Sequence, residues 1–96
     1  MIKVNKTDDL IDEITGENLN LIQNIFYYVQ EHEGVEATPI ITRESNKIIC
    51  KIPASEMEKL STGQLMFSAV VSSTDPDFPD EDYQYTINTG LNVWLR

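Results

Sequence analysis

Cysteine occurs once in the chain, at Cys50, and histidine once, at His32, and no basic residue lies between Lys59 and Arg96. A single cysteine leaves no intramolecular disulfide, so cysteine usage gives no sign of a small secreted domain stapled by bridges. One histidine and one cysteine cannot build a zinc site of His and Cys ligands. No HExxH helix, GxSxG elbow or glycine-rich phosphate loop is present, and none of the many carboxylates is marked as an acid/base pair. The chain is therefore read as a non-enzyme. Nucleic acid and anionic membrane surfaces call for clustered Lys and Arg. Seven basic residues against sixteen acidic ones, net −9, make both poor partners. The opening "MIKVNKTDDL" has no apolar core of a signal peptide, and no apolar run approaches the roughly 20 residues of a membrane span. The expectation is a protein that is cytoplasmic when made.

What is present is ordinary globular composition, 41% hydrophobic and 24% charged over 96 residues, which suits one domain spanning residues 1–96. The C-terminal segment shows the clearest pattern. From Tyr83 to Leu95 the odd positions read Tyr, Tyr, Ile, Thr, Leu, Val, Leu while the even positions are mostly polar. A period of two predicts a long strand with one buried face, interrupted at Gly90 by a bulge or bend. Trp94 breaks the pattern by standing on the polar side. "GQLMFSAVVSS" predicts a second strand with Leu65, Phe67, Ala69 and Val71 inward, and an outward face polar enough at only half its positions that part of it should be covered. The two strands pair most simply as an antiparallel hairpin.

Upstream, "PASEMEKLSTG" predicts one helical turn near residues 55–61, with Ser55 and Glu58 as a capping box and Gly63 as terminator. "NKIICKIP" and "ATPIITRE" are extended pieces joined at Asn46-Lys47. "MIKVNK" reads as a short edge strand, and "TDDLIDEI" as its polar extension or a helical turn. Residues 19–31 fit two periods. Alternation groups Leu19, Leu21, Ile25, Tyr27 and Val29; helical spacing groups Leu19, Ile22, Phe26 and Val29. The β-branched and aromatic run Ile25–Val29 favours a strand. The sum is six to seven short strands, an all-β, antiparallel, immunoglobulin-like sandwich.

Between the last two predicted strands lies an acidic loop with Asp75, Asp77, Asp80, Glu81 and Asp82. Calcium takes six to eight oxygen ligands, and Asp75, Asp77, Asp80 and Asp82 offer several. The spacing is not that of an EF-hand, because Pro79 and Asp80 stand where an acid and a glycine are needed. A solvated hairpin loop stiffened by its prolines is the simpler reading. Cys50, alternating with Ile48 and Ile52, reads as a small core residue, and His32, between two glutamates, as an exposed turn residue. Asn5-Lys6-Thr7 fits the glycosylation pattern without a secretory signal to give it meaning.

Taken together, "IPASEMEKLSTGQLMFSAVVSS" and "DPDFPDEDYQYTINTGLNVWL" resemble a family of small β-sandwich structural proteins of tailed phages and prophages of Bacteroides-like bacteria. The matching residues are Leu60, Gly63 and Leu65, then Asp75, Phe78, Pro79 and Asp80, then Thr89, Gly90 and Trp94. The loop departs from that pattern at Glu81, where the family has glycine. The resemblance covers residues 47–96 best. It implies a non-enzymatic structural or assembly module of a tail, baseplate or fibre attachment, working through contacts with other protein subunits and incorporated in the virion. In isolation such a module would be a monomer or weakly self-associating. Trp94, Phe78, Tyr28 and Phe26 are the candidate partner-binding residues. The alternative is a carbohydrate- or calcium-dependent binding domain of the same shape, with Trp94 or the tyrosines as stacking platform. A third reading is a regulator that holds a basic partner through the −9 charge.

Overall fold

The computed structural model describes residues 1–74 and 82–96. In chain order the strands are β1 (Ile2–Val4), β2 (Leu10–Thr15), β3 (Ile22–Val29), β4 (His32–Ala37), β5 (Ile40–Arg43), β6 (Lys47–Ile52), β7 (Gly63–Thr74) and β8 (Asp82–Leu95). One 3-10 turn, Leu19–Leu21, precedes β3, and one helical turn, α1 (Ala54–Met57), precedes β7. The protein is an all-β sandwich. A five-stranded sheet ordered β1-β8-β7-β3-β4 faces a three-stranded sheet ordered β2-β6-β5.

Lettered A, B, C, C′, D, E, F, G in chain order, the sheets read A-G-F-C-C′ and B-E-D. That is the immunoglobulin-like arrangement with one difference. In antibody constant domains the first strand lies in the sheet of B, E and D. Here β1 runs parallel beside β8 instead, Ile2 opposite Val93 and Val4 opposite Leu95. β1 is thus an edge strand, as its sequence predicts, and β2 keeps an uncovered edge.

The core forms where the inward rows of both sheets meet. Tyr27, Val29, Leu65 and Leu95 from one sheet and Ile48, Cys50 and Ile52 from the other are almost wholly buried, with Met57 of α1 closing one end. Each large aliphatic side chain so buried stabilises the fold by roughly 1.5–3 kcal/mol. β7 is central. It pairs antiparallel with β3 on one side and with β8 on the other, from Thr74–Asp82 down to Gly63–Leu95. The hairpin of β7 and β8 is therefore present, with Leu65, Phe67, Ala69 and Val71 all inward and buried. The outward face of β7 is partly covered too. Ser68 is 1% exposed, and Met66 and Val70 are half-buried.

Several local expectations shift. "TDDLIDEI" is neither an extension of β1 nor a helix. Leu10–Thr15 crosses to the second sheet as β2, pairing with β6 from Leu10–Ile52 to Thr15–Lys47. The residue-19–31 segment is strand from Ile22, and His32–Ala37 adds a strand, β4, whose first residue, His32, the sequence read as a turn residue. His32 is exposed at its start, opposite Val29. The β5–β6 turn is Ser45-Asn46, one residue earlier than expected, because Glu44 N–H bonds to Lys47 O at 2.9 Å and Lys47 is already strand.

α1 starts one residue earlier than its sequence suggests, and the Ser55–Glu58 capping box does not form. The residue preceding the helix is Pro53, whose side chain cannot cap. The free Ala54 N–H is met instead by Asp9 Oδ1 at 2.7 Å, from the segment before β2. A distant carboxylate at the first turn supplies both a hydrogen bond and a favourable charge. Gly63 is not the helix terminator. It opens β7 at φ +150°, and a Cβ there would lie 2.7 Å from Val29 Cγ1. Only glycine permits both that backbone and that approach.

Candidate interaction surface

The strand ends and free edges position everything that could meet a partner. β8 is paired with β7 over its length, but β1 covers only Val93–Leu95 on the other side. Among the described residues no strand lies beside Asp82–Asn92. The second sheet is also shorter than β8. The inward row of β8 runs from Leu95, fully buried, through half-buried Val93 and Leu91, exposed Thr89 and half-buried Ile87 to Tyr85, which is 48% exposed. The alternation was read as one buried face along its whole length; it is buried at one end and open at the other. Two hollows of about 330 and 340 Å³ follow one another along this row. The first is lined by Asp12–Thr15 of β2 with Phe67, Thr89 and Leu91. The second is lined by Glu17, Asn18, Leu21 and Ile22 with Val71, Tyr85 and Ile87.

The proposed anchor residues are not gathered into one patch. Trp94 is 41% exposed on the outer face of β8, flanked by Lys3 of β1 and Gln64 of β7. Tyr28, on the same face two strands away, is only 7% exposed, and its hydroxyl donates to Asn88 Oδ1 at 3.3 Å. Phe26 is half-buried, its ring 6.1 Å from that of Tyr28, and it stands opposite Ser68. Phe26 and Tyr28 thus form a local cover over Ser68, while Trp94 stands apart at the far strand. Gly90 sits where the β7–β8 register shifts, as the interruption in the alternation predicts. Gln64 lies across Gly90, where a Cβ would meet its Nε2 at 2.7 Å, and donates to Leu91 O at 3.2 Å.

Phe78 and the candidate calcium ligands Asp75, Asp77 and Asp80 lie outside the described residues, as does the side chain of Asp82. Among the described residues no group of three or more His, Cys, Asp and Glu could hold a metal ion, and no helix is long and apolar enough to cross a membrane.

A polar group that the sequence reading missed sits between the sheets. Asp12 is on the inward row of β2, directly opposite Cys50 of β6. Its Oδ2 accepts a 2.7 Å hydrogen bond from the hydroxyl of Tyr27, which has no exposed surface. Burial, then the bond to Asp12, holds the Tyr27 hydroxyl far above its ordinary range; burial likewise pushes the Cys50 thiol up. The ring of Tyr27 packs edge-on against Phe67 at 5.7 Å. The arrangement ties β2 to β3 across the sandwich and leaves Cys50 a protonated, inert core residue. The signal was available in "LIDEI", where Asp12 alternates with Leu10 and Ile14.

A second missed surface is the outer face of the small sheet, where exposed Ile11 and Ile40 flank Lys51 in register. Comparison with known proteins finds no family model that matches the chain and no curated protein that matches its sequence.

Proposed function

We propose that the protein is a non-enzymatic assembly module that works by protein–protein contacts, in the setting its sequence resemblance implies: a tail, baseplate or fibre attachment of a phage or prophage particle. The observation that carries the assembly reading is the outer edge of β8 from Asp82 to Asn92, beside which no strand lies among the described residues. A strand edge presents unpaired N–H and C=O groups, and natural sheets blunt such edges with charge, proline or a bulge. Between Gln84 and Asn92 the sequence QYTINTGLN contains no charged residue and no proline, and the one irregularity it carries is the register shift at Gly90. The other outer edge of the same sheet, β4, carries Glu33 and Glu36 within six residues. An edge left open next to a half-covered apolar row suits a site completed by another chain. Half-exposed Trp94 stands on the adjoining outer face.

The particle setting is tested by mass spectrometry of density-purified particles induced from the bacterium that carries this gene. The chain should be present in fixed ratio to the tail proteins. Its absence from intact particles would sink the phage reading.

A further inference from the structure

Going beyond that reading, we infer that two copies of this chain pair face to face through the outer face of β3, β7 and β8. The observation that carries it is where charge is missing. Charged residues make up 24% of the chain, yet β3 and β7 contain none and β8 contains only Asp82, at its start. The register sets the outward rows of these strands side by side. Gln23, Val70 and Thr86 form one level, and Phe26, Ser68 and Asn88 the next. Trp94 stands two levels further on, beside Gln64. Gln23, Thr86 and Asn88 are exposed, Phe26 is half-buried and Trp94 is 41% exposed. A patch with aromatic side chains and without charge has the composition of the centre of a protein–protein interface.

Charge and hydrogen-bonding chemistry select the occupant. A chain of net −9 repels its own image, so two copies meet closely only where neither presents acids. These three strands meet that condition from Gln84 onwards along β8. Their outward amides donate and accept alike, so the face is complementary to itself. A charged partner finds no opposite charge on it. Sheet faces pack on one another with their strands within about 30°. A two-fold axis running along β7, between the copies, lays β7 on β7 and β8 on the other copy's β3. Asn88 then lies over Phe26 and Thr86 over Gln23, each contact occurring twice. The borders of the face agree with this axis. Lys3 of β1, opposite Trp94, flanks one side. Glu36 flanks the other: it precedes Ala37, which is buried opposite Tyr27, so it alternates to the outer side of β4. The axis brings β1 over the other copy's β4, base near acid at both borders. From Gln64 to Ser72 the face is about 30 Å long and three strands wide, roughly 400 Å² per copy. About 800 Å² for the pair, before side-chain relief is counted, is small for a specific contact. Pairing therefore needs concentrations on the order of 0.1 mM, or an assembly that holds copies side by side.

Sedimentation equilibrium and NMR of the whole chain, from micromolar to millimolar concentration, test the pairing. The mean mass should rise from 11.0 kDa towards twice that value. The Trp94 indole, the Met66 methyl and the Asn88 side-chain amide should shift along the same concentration curve. Thr86→Lys and Gln23→Glu both change exposed positions. Each alone should weaken pairing at least tenfold, because a charge leaves water against a neutral group. Mixed in equal amounts, the two variants should regain the native affinity, since the new base of one copy lies over the new acid of the other. A mass of 11.0 kDa at every concentration, shifts confined to other surfaces, or a mixture no tighter than either variant alone would each overturn the inference. A chain found in particles but monomeric throughout loses this pairing alone. One that pairs but is absent from particles loses the phage setting alone.

Discussion

At the scale of single residues, the most informative contact is Tyr27 to Asp12. A carboxylate on the inward row of a strand is costly unless a donor meets it, and the Tyr27 hydroxyl does so at 2.7 Å from the opposite sheet. Tyr27→Phe keeps the ring and its edge-on contact with Phe67 but removes that donor. The expected loss is about 1–2 kcal/mol of unfolding free energy, read from the urea midpoint. Burial of that hydroxyl, and after it the same bond, sets the alkaline limit of the fold. The folded pKa of Tyr27 lies above the ordinary 10.0 and that of Cys50 above the ordinary 9.0. Unfolded chains therefore release these protons first. The stabilisation is complete below pH 9 and is lost as pH rises through 9 and 10. A plot of midpoint against pH should bend down there in the native chain and bend less in Tyr27→Phe. Equal curves would mean that Tyr27 does not couple the sheets.

At the scale of elements, β7 was legible because both faces of its alternation mean something. Leu65, Phe67, Ala69 and Val71 face the core, and the half-apolar opposite face is half-covered by the Phe26–Tyr28 pair. β3 resisted reading for a definite reason. Ile22 pairs with Val71 and Gln23 with Val70, but Phe26 pairs with Ser68, so one extra residue is inserted between them. Asn24 takes it up at φ +52°, a conformation asparagine tolerates. The inward set then changes parity, from Ile22 to Ile25, Tyr27 and Val29. Its spacing of three is what imitates a helix. β2 was missed because Asp12 and Glu13 made it look polar, when one acid faces Tyr27 and the other faces solvent. The start of α1 was misread because its cap comes from tertiary structure. Asp9→Ala should expose the Ala54 N–H and cost about 1 kcal/mol, whereas Ser55→Ala, on an exposed side chain that caps nothing, should change stability by less than about 0.5 kcal/mol. Comparable losses in the two variants would restore the local capping box. Glu56 adds a further tie, accepting from Thr38 N–H at 2.9 Å and pairing with Lys59, which first of all holds its carboxyl below the ordinary value. That contribution is present above pH 4.5 and lost as pH falls through the lowered value.

At the scale of the whole molecule, the placement of one short strand decides how much of the surface is open. β1 leaves the β2 side of the sandwich and pairs with only three residues of β8, so both β2 and β8 keep free edges along one flank. The hairpin of β7 and β8 runs on past the end of β3, which reaches β7 only up to Val71, and the chain is correspondingly long, 46 × 28 × 23 Å. Its Cα radius of gyration, 14.6 Å, exceeds the roughly 12.5 Å of a compact chain of this length. Amide hydrogen exchange reports directly on whether the flank is vacant in the isolated protein. Backbone amides of Leu65–Val71 have strands on both sides and belong to the last part of the fold to open. Among the described residues, β7 is the one strand paired with Gln84–Asn92, so slow and fast exchange should alternate along the strand. The alternation should end at Val93–Leu95, where β1 supplies the second partner. Uniformly slow exchange from 84 to 92 at low protein concentration would mean that the lane is already filled by another copy, and would remove the vacancy on which a partner strand depends.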